Sequence, residues 1–377
     1  MYLTEEHTLV QEMARKFAQE RIAPGAAERD KNEMFPKEIL TEMGQLGLLG
    51  VVVPNQWDGA GMDYLSLSLV TEEVAAADGG LSTILCVQSM VQAVMMSAAS
   101  DAQKEQWLKP MARGEAIGAF GLTEPQAGSD ASSLQTTAVW DGDHYVLNGT
   151  KHYITSGKNG DVTVVFAVTD RAAGKKGISA FIVPQDTPGY EVVHIEDKMG
   201  QHCSDTAQIA LTNARVPAAN LLGKEGEGYK IALSNLEAGR ISVASQALGM
   251  ARAAYDVAVR YAKERMAFGK PIIEHQAVAF RLADMATALD AARLMVHRAA
   301  VLRQQGKPCL KEACMAKLMA TEAAERICHD AIQTLGGAGY TADFPVERIY
   351  RDVRVCKIYE GTSDIQKIVI SNAIARE

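Results

Sequence analysis

Near the C-terminus the chain reads KIYEGTSDIQ over residues 357–366, so that one carboxylate, Glu360, follows an apolar pair and precedes Gly361, Thr362 and Ser363. Small residues let a backbone approach a ligand closely, and a carboxylate held against a ligand can take a proton from it. Two further stretches carry usable groups. GLTEPQAGSD, residues 121–130, is rich in hydroxyls and backbone donors suited to a polar ring edge or a phosphate. QTLGGAGY, residues 333–340, sets glycines at 336, 337 and 339 behind an amphipathic segment, where a helix stop is the simplest reading. Taken singly, each stretch also has an ordinary explanation as a turn, a helix end or a solvated acid.

Other chemistries lack their patterns. No GxGxxG follows a strand, and neither GxxxxGK[ST] nor GxSxG occurs. The eight histidines form no HxxxH or HExxH pair, which argues against a metal centre; His7, His275 and His329 read as surface or packing residues. Six cysteines, with no CxxC, read as reduced thiols. A net charge of −8 argues against general nucleic-acid binding. With 47% hydrophobic and 22% charged residues the composition is that of a globular protein. Its uninterrupted apolar runs fall short of the roughly 18 residues that span a bilayer, and the stretch MYLTEEHTLVQEM lacks the basic region, apolar run and cleavage site of a secretory signal, so none is expected. The expected address is the cytoplasm, or the mitochondrial matrix for a processed chain.

At 377 residues the chain is long enough for two or three domains, and its texture changes twice. Residues 1–115 read as helices. Thr4 caps the first, Leu9, Met13 and Phe17 make its buried face, and Pro24 stops it; Pro36 starts a second helix. The Met90, Met95 and Met96 cluster reads as core packing. Residues 116–225 break into short β-branched runs, with hairpin signals at Asp141-Gly142 and Asn148-Gly149. Having no helical crossovers, this segment is expected to be a mostly antiparallel sheet or barrel. In residues 226–377 the helical period returns: Val278, Leu282, Met285, Leu289, Ala292, Val296 and Ala299 form one stripe, while Asp284, Asp290, His297 and Arg298 fall off it. An antiparallel bundle is expected, giving an α+β chain ordered helices, sheet, helices.

Together the three stretches resemble the flavin-dependent acyl-CoA dehydrogenases. GLTEPQAGSD and QTLGGAGYTADFPVERIYRD carry the likeness; EAGRISVASQALG, RYAKERMAFGKPI and IYEGTSDIQ extend it toward the short-chain branch. The resemblance implies an N-terminal helical domain, a middle β-domain and a C-terminal four-helix bundle. It also implies FAD, a short-chain acyl-CoA substrate, electron-transfer flavoprotein as acceptor, and a homotetramer. Glu360 maps onto the base that removes the α-proton while the β-hydrogen leaves as hydride to flavin N5. By the same mapping, Phe120, Leu122, Thr123 and Ser129 line the flavin, Ser129 also touching substrate, with Tyr153, Ile154 and Thr155 behind the ring. Tyr153 stands where many members have Trp. Arg265, Phe268 and Gln276, with Gln333, Thr334, Leu335, Gly336 and Gly337, match the residues by which a neighbouring subunit holds the adenine half. Thr362, Ser363 and Asp364 match the turn at the pyrophosphate, Asp364 replacing the more usual Glu or Gln. Glu237, Arg240 and Gly361 correspond to substrate-side positions, and Gly239 stands where some relatives carry the base instead. Fatty-acid oxidation and branched-chain amino-acid breakdown are both open as pathways. A same-fold flavin oxidase and a nucleic-acid-binding scaffold are the alternatives.

Overall fold

The computed structural model describes residues 3–377, so the first two residues of the expected helical domain lie outside the described residues. Its first unit comprises α1 (Glu5–Phe17), α2 (Ala26–Asn32), α3 (Lys37–Gln45), α4 (Tyr64–Ala77) and α5 (Gly79–Ala98), then the short α6 (Asp101–Gln103) and α7 (Lys109–Ala112). Thr4 caps α1 as expected, its hydroxyl accepting from the His7 N–H. The buried face is a different one, however. Val10, Ala14 and Phe17 are buried, whereas Leu9 is 61% and Met13 39% exposed. A helix turns about 100° per residue, so shifting the stripe by one position rotates the buried face by little more than a quarter turn, and of the expected stripe Phe17 alone stays buried. Nor does Pro24 end the helical course. The chain runs on through a wide turn (Ala18–Ile22) and a tight one (Ala23–Gly25) into α2, and Pro24 sits in the first turn, where a missing N–H is harmless.

Helix α5 is the longest apolar element of this unit. By length and composition it could cross a membrane, because its Ser, Thr and Gln residues interrupt apolar runs without adding charge; 78% of that apolar window is buried inside the protein. It packs against α4, the sheet and the bundle. Met95 joins the core as expected, while Met90 lines the pocket described below.

The sheet contains β1 (Gly118–Gly121), β2 (Thr137–Asp141), β3 (His144–Thr155), β4 (Val162–Val168), β5 (Ile178–Pro184), β6 (Tyr190–Ile195), β7 (Thr206–Pro217) and β8 (Leu221–Leu222). Its order is β6-β7-β3-β2-β4-β5-β8, with β1 beside β4. Pairing is antiparallel except where β1 and the start of β2 meet β4 in parallel. VTVVFAV is apolar throughout because β4 is buried on both faces. The Asp141-Gly142 signal marks the β2–β3 hairpin. Asn148-Gly149 does not turn the chain: Gly149 lies inside β3 at a register break, with φ +153°. A Cβ there would meet the Thr136 Oγ1 at 2.4 Å, so close approach of two backbones explains the glycine.

The bundle is built from α8 (Gly228–Glu264), a small hairpin of β9 (Met266–Ala267) and β10 (Lys270–Pro271), α9 (Gln276–Gln304), α10 (Leu310–Leu335), the short α11 (Gly337–Tyr340) and α12 (Val346–Val353), and α13 (Ser363–Ile374). The α9 stripe from Leu282 to Ala299 is buried. His297, expected off that stripe, is buried as well, because α4 covers the neighbouring face with Glu72. Alanines at 244, 247, 251, 254 and 258 of α8 and at 313, 316, 320 and 324 of α10 are buried in one core, and such small side chains let the two helices approach closely.

Candidate active site

Where α5, α8 and the loop after α12 converge there is a cavity of ≈ 30 Å³, lined by Thr83, Cys86, Val87, Met90, Gly239, Val243, Tyr359 and Glu360. The four α5 residues are spaced three and four apart and so share one face; Gly239 and Val243 do the same on α8. Glu360 reaches this point from an unusual backbone. Its φ is +53° and that of Gly361 is +91°, two successive left-handed residues, the first of them costly for a side chain. Glycine is needed at 361 both for that φ and because a Cβ would lie 2.7 Å from the Gln366 Nε2.

The fold holds this turn from beneath. Gln366 donates from Nε2 to the carbonyls of Glu360 (3.1 Å) and Gly361 (2.8 Å), and Lys317 donates to the Gly361 carbonyl at 2.8 Å. Tyr359 is anchored too: its hydroxyl donates to the Gln246 Oε1, and the Gln246 Nε2 donates to the Thr83 Oγ1 at 2.6 Å. Glu360 itself is half-buried, and its Oε2 is buried without a hydrogen-bond partner. Burial raises its pKa above the ordinary carboxylate value, with Arg240 and Lys317 pulling it back. Arg240 is buried and its Nε also lacks a partner. Gly239 faces the carboxyl directly; a Cβ on it would lie 2.5 Å from the Glu360 Oε2. The carboxylate of Glu237 is turned away, onto the Arg303 Nη1 at 2.9 Å.

In the sheet domain the 121–130 loop is organised by a buried ion pair that sequence reasoning missed. Lys151 donates to the Glu124 Oε1 at 2.7 Å and to the Leu122 carbonyl at 3.2 Å. Glu124 also accepts from the N–H of Gln135 (2.6 Å) and of Thr136 (3.1 Å). Burial opposes its charge, yet Lys151 and these donors hold the carboxyl down at about 2, while burial draws Lys151 down to about 8. Phe120 packs on Phe166 with ring centroids 5.0 Å apart. The Thr123 carbonyl accepts from the His152 N–H, tying the loop to β3. Tyr153 is 61% exposed at φ +58° and stacks on His152. The Ile154 side chain is buried in the sheet core, so only its backbone can face a ring; Ser129 is exposed.

The second group of expected residues lies on the bundle. Arg265 and Gln276 are exposed, and Phe268 is 95% exposed. Among the described residues no carboxylate lies within 4 Å of Arg265. The end of α10 meets the start of α9 through the Arg281 Nη1 and the Thr334 Oγ1 at 3.5 Å. Gln333, Gly336 and Gly337 are exposed, with open space above both glycines, while Thr334 and Leu335 are buried. Thr362 caps α13, Ser363 donates to Glu322, and Asp364 stays exposed. An unpaired guanidinium and uncovered glycine backbone suit a pyrophosphate, and the β3 edge with Thr123 and Thr155 suits a flat polar ring. This donor set fits a flavin dinucleotide.

Of the residues missed, Lys317 had a legible signal. It falls on the buried Ala313, Ala320, Ala324 stripe of α10, where a lysine is out of place. Gln246 and Gln366 offered none, since glutamine is ordinary in any helix.

Comparison with known proteins agrees along the whole chain. Models of the acyl-CoA dehydrogenase N-terminal, middle and C-terminal domains match residues 4–115, 119–214 and 226–375. The mitochondrial short-chain specific acyl-CoA dehydrogenase of Rattus norvegicus is 48% identical, over 99% of this chain and 91% of its own length. The structure of butyryl-CoA dehydrogenase from Megasphaera elsdenii is 42% identical with a TM-score of 0.97, over 100% of both chains. A structure described as an electron transferring flavoprotein of Acidaminococcus fermentans, studied for flavin-based electron bifurcation, matches at 46% identity and TM-score 0.99, again over 100% of both chains. With three domain models in order, near half-identity to short-chain relatives and a donor set that fits the cofactor, the chain belongs to the acyl-CoA dehydrogenase family, oxidoreductases that use FAD.

Proposed function

We propose that the protein oxidises a short-chain acyl-CoA to its trans-2-enoyl thioester, with Glu360 as the base that takes the α-proton. The observation that carries this reading is the Glu360 carboxylate itself, its Oε2 unpartnered in a small apolar cavity. FAD, when bound, supplies the acceptor for hydride leaving the β-carbon. Every other part of the task falls to the chain. An acyl group entering the cavity covers Glu360 and excludes water, raising its pKa further toward that needed for a carbon acid. The Glu360 backbone N–H makes no hydrogen bond among the described residues, which leaves it free to meet the thioester oxygen as enolate charge develops. Arg240 holds positive charge beside the base, and Gly239 leaves room for its carboxyl.

The walls of the cavity support a short chain, since the bulky Met90 and Tyr359 are among them. Discrimination per methylene is modest, about 1–3 kcal/mol, so several short chains should react. Phe268 and Tyr340, 95% and 85% exposed, with the free Arg265, support a homotetramer in which a neighbouring subunit grips the adenine half. Electron-transfer flavoprotein is the proposed acceptor. Neither the oxidase nor the nucleic-acid reading gains a supporting feature. An anaerobic titration with butyryl-, isobutyryl-, 2-methylbutyryl- and octanoyl-CoA tests the reading: the short thioesters should bleach the flavin, and bleaching by octanoyl-CoA alone would overturn the chain-length assignment.

A further inference from the structure

Lys317 is buried without any exposed surface, on α10, and among the described residues the one hydrogen bond of its ammonium runs to the Gly361 carbonyl at 2.8 Å. Among the described residues no carboxylate lies within 4 Å of it. A buried ammonium without an ion-pair partner is costly, and methionine would fill the same space at less cost. The carbonyl it binds belongs to the second of two successive left-handed residues, the first of which is Glu360. We propose that Lys317 is a positioning residue for the base: its ammonium pins the Gly361 carbonyl, holds the turn in its left-handed form, and sets a positive charge facing the Glu360 carboxylate. This rests on the reading of Glu360 as the base.

The geometry gives the lysine two separable effects. Its hydrogen bond, with those of Gln366, fixes both carbonyls of the turn and so fixes where the carboxylate points. Its charge acts on Glu360 together with Arg240 of α8. The other titratable groups around the pair are Tyr359 in the same cavity, Cys356 beside the turn, Cys86 of α5, and Cys314 and Glu322 of α10. Glu322 is already engaged, by Lys357 at 2.7 Å and by Ser363. Burial draws the lysine down to about 8, so it remains a cation at neutral pH.

The test compares holoenzymes carrying Lys317→Met, Lys317→Arg and Glu360→Gln with wild type. Flavin reduction by butyryl-CoA is followed by anaerobic stopped flow across pH 6–9, and affinity for butyl-CoA, a thioether that the enzyme cannot oxidise, by calorimetry. A base displaced by about 1 Å loses about 10²-fold in rate. For K317M we expect that loss with thioether affinity within about 3-fold of wild type, and an acid limb of the rate profile moved to higher pH, because loss of a nearby cation raises a carboxyl pKa. K317R should restore the position of that limb. An unchanged rate and limb in K317M, with E360Q inactive, would overturn the positioning role. Turnover by E360Q would instead remove the base reading and this proposal with it. Should K317M fail to fold, Gln366→Met cuts the same carbonyl from α13, and its rate must fall while thioether affinity holds; equal loss of both would refute the idea.

Discussion

Replacing Gly239 by alanine adds one methyl group, and the structure says where it goes: 2.5 Å from the Glu360 Oε2, 3.1 Å from its Cδ and 3.6 Å from the Met90 Sδ. Carbon–oxygen contact is comfortable only near 3.3 Å or beyond, so the carboxylate must retreat by about 0.8 Å or rotate out of the cleft. Misplacement on the order of 1 Å costs about 10²-fold when a reacting group must meet a fixed carbon. Stability should not suffer equally, because the position is inside α8 and alanine is favoured over glycine in a helix by about 1 kcal/mol. The expected result is therefore a protein with a wild-type melting profile and a flavin spectrum typical of the family, reduced by butyryl-CoA about 100 times more slowly in anaerobic stopped flow. Reduction within about 3-fold of wild type would show that the carboxylate does not work from the position described. Unfolding of the variant would show that the helix cannot absorb the methyl group, contrary to the same reasoning.

Other consequences are open to measurement. Burial pushes Asp352 up to about 7 against the Gln201 N–H; since the folded protein then holds a proton that the unfolded chain releases near 4, stability should be greatest below that value and fall as pH rises toward 7. Asp352→Asn should flatten this slope in thermal melts between pH 4 and 7, by an amount that a shift of about three units caps at about 4 kcal/mol. Lys151→Met leaves the Glu124 charge buried alone, for an expected loss of about 3–5 kcal/mol, and the double variant with Glu124→Gln should recover part of it; equal stability of single and double variants would count against the pair organising the loop. Phe268→Ser should lower the sedimentation coefficient and weaken FAD retention together, while an unchanged assembly would argue against the proposed subunit contact.

The sequence was most legible where periodicity and punctuation coincide. The α9 stripe from Leu282 to Ala299 and the Asp141-Gly142 hairpin stand as expected, because one buried face and one turn decide each. It misled where a local signal had a second cause. Asn148-Gly149 carries turn residues, yet the glycine answers to Thr136 pressing on its backbone. Leu9 and Met13 have the right spacing, but the neighbouring stripe through Val10 and Ala14 reaches the core. At the site, Glu360 and the loop at 121–130 were found from residue type and resemblance. The supports beneath them were not. The Glu124–Lys151 pair, the Lys317–Gly361 bond and the Gln246–Tyr359 bond span 27, 44 and 113 residues of sequence, while Gln366 reaches back from α13 over five and six, and only folding reveals which carbonyl or carboxylate each one meets.

The central claim concerns one side chain, and one comparison isolates it. Wild type and Glu360→Gln, both loaded with FAD, are mixed anaerobically with butyryl-CoA and followed at the flavin absorbance band. The account predicts that wild type bleaches within the mixing trace while the glutamine variant keeps its colour and still binds the thioester. Bleaching of the variant at a rate near that of wild type would place the base elsewhere.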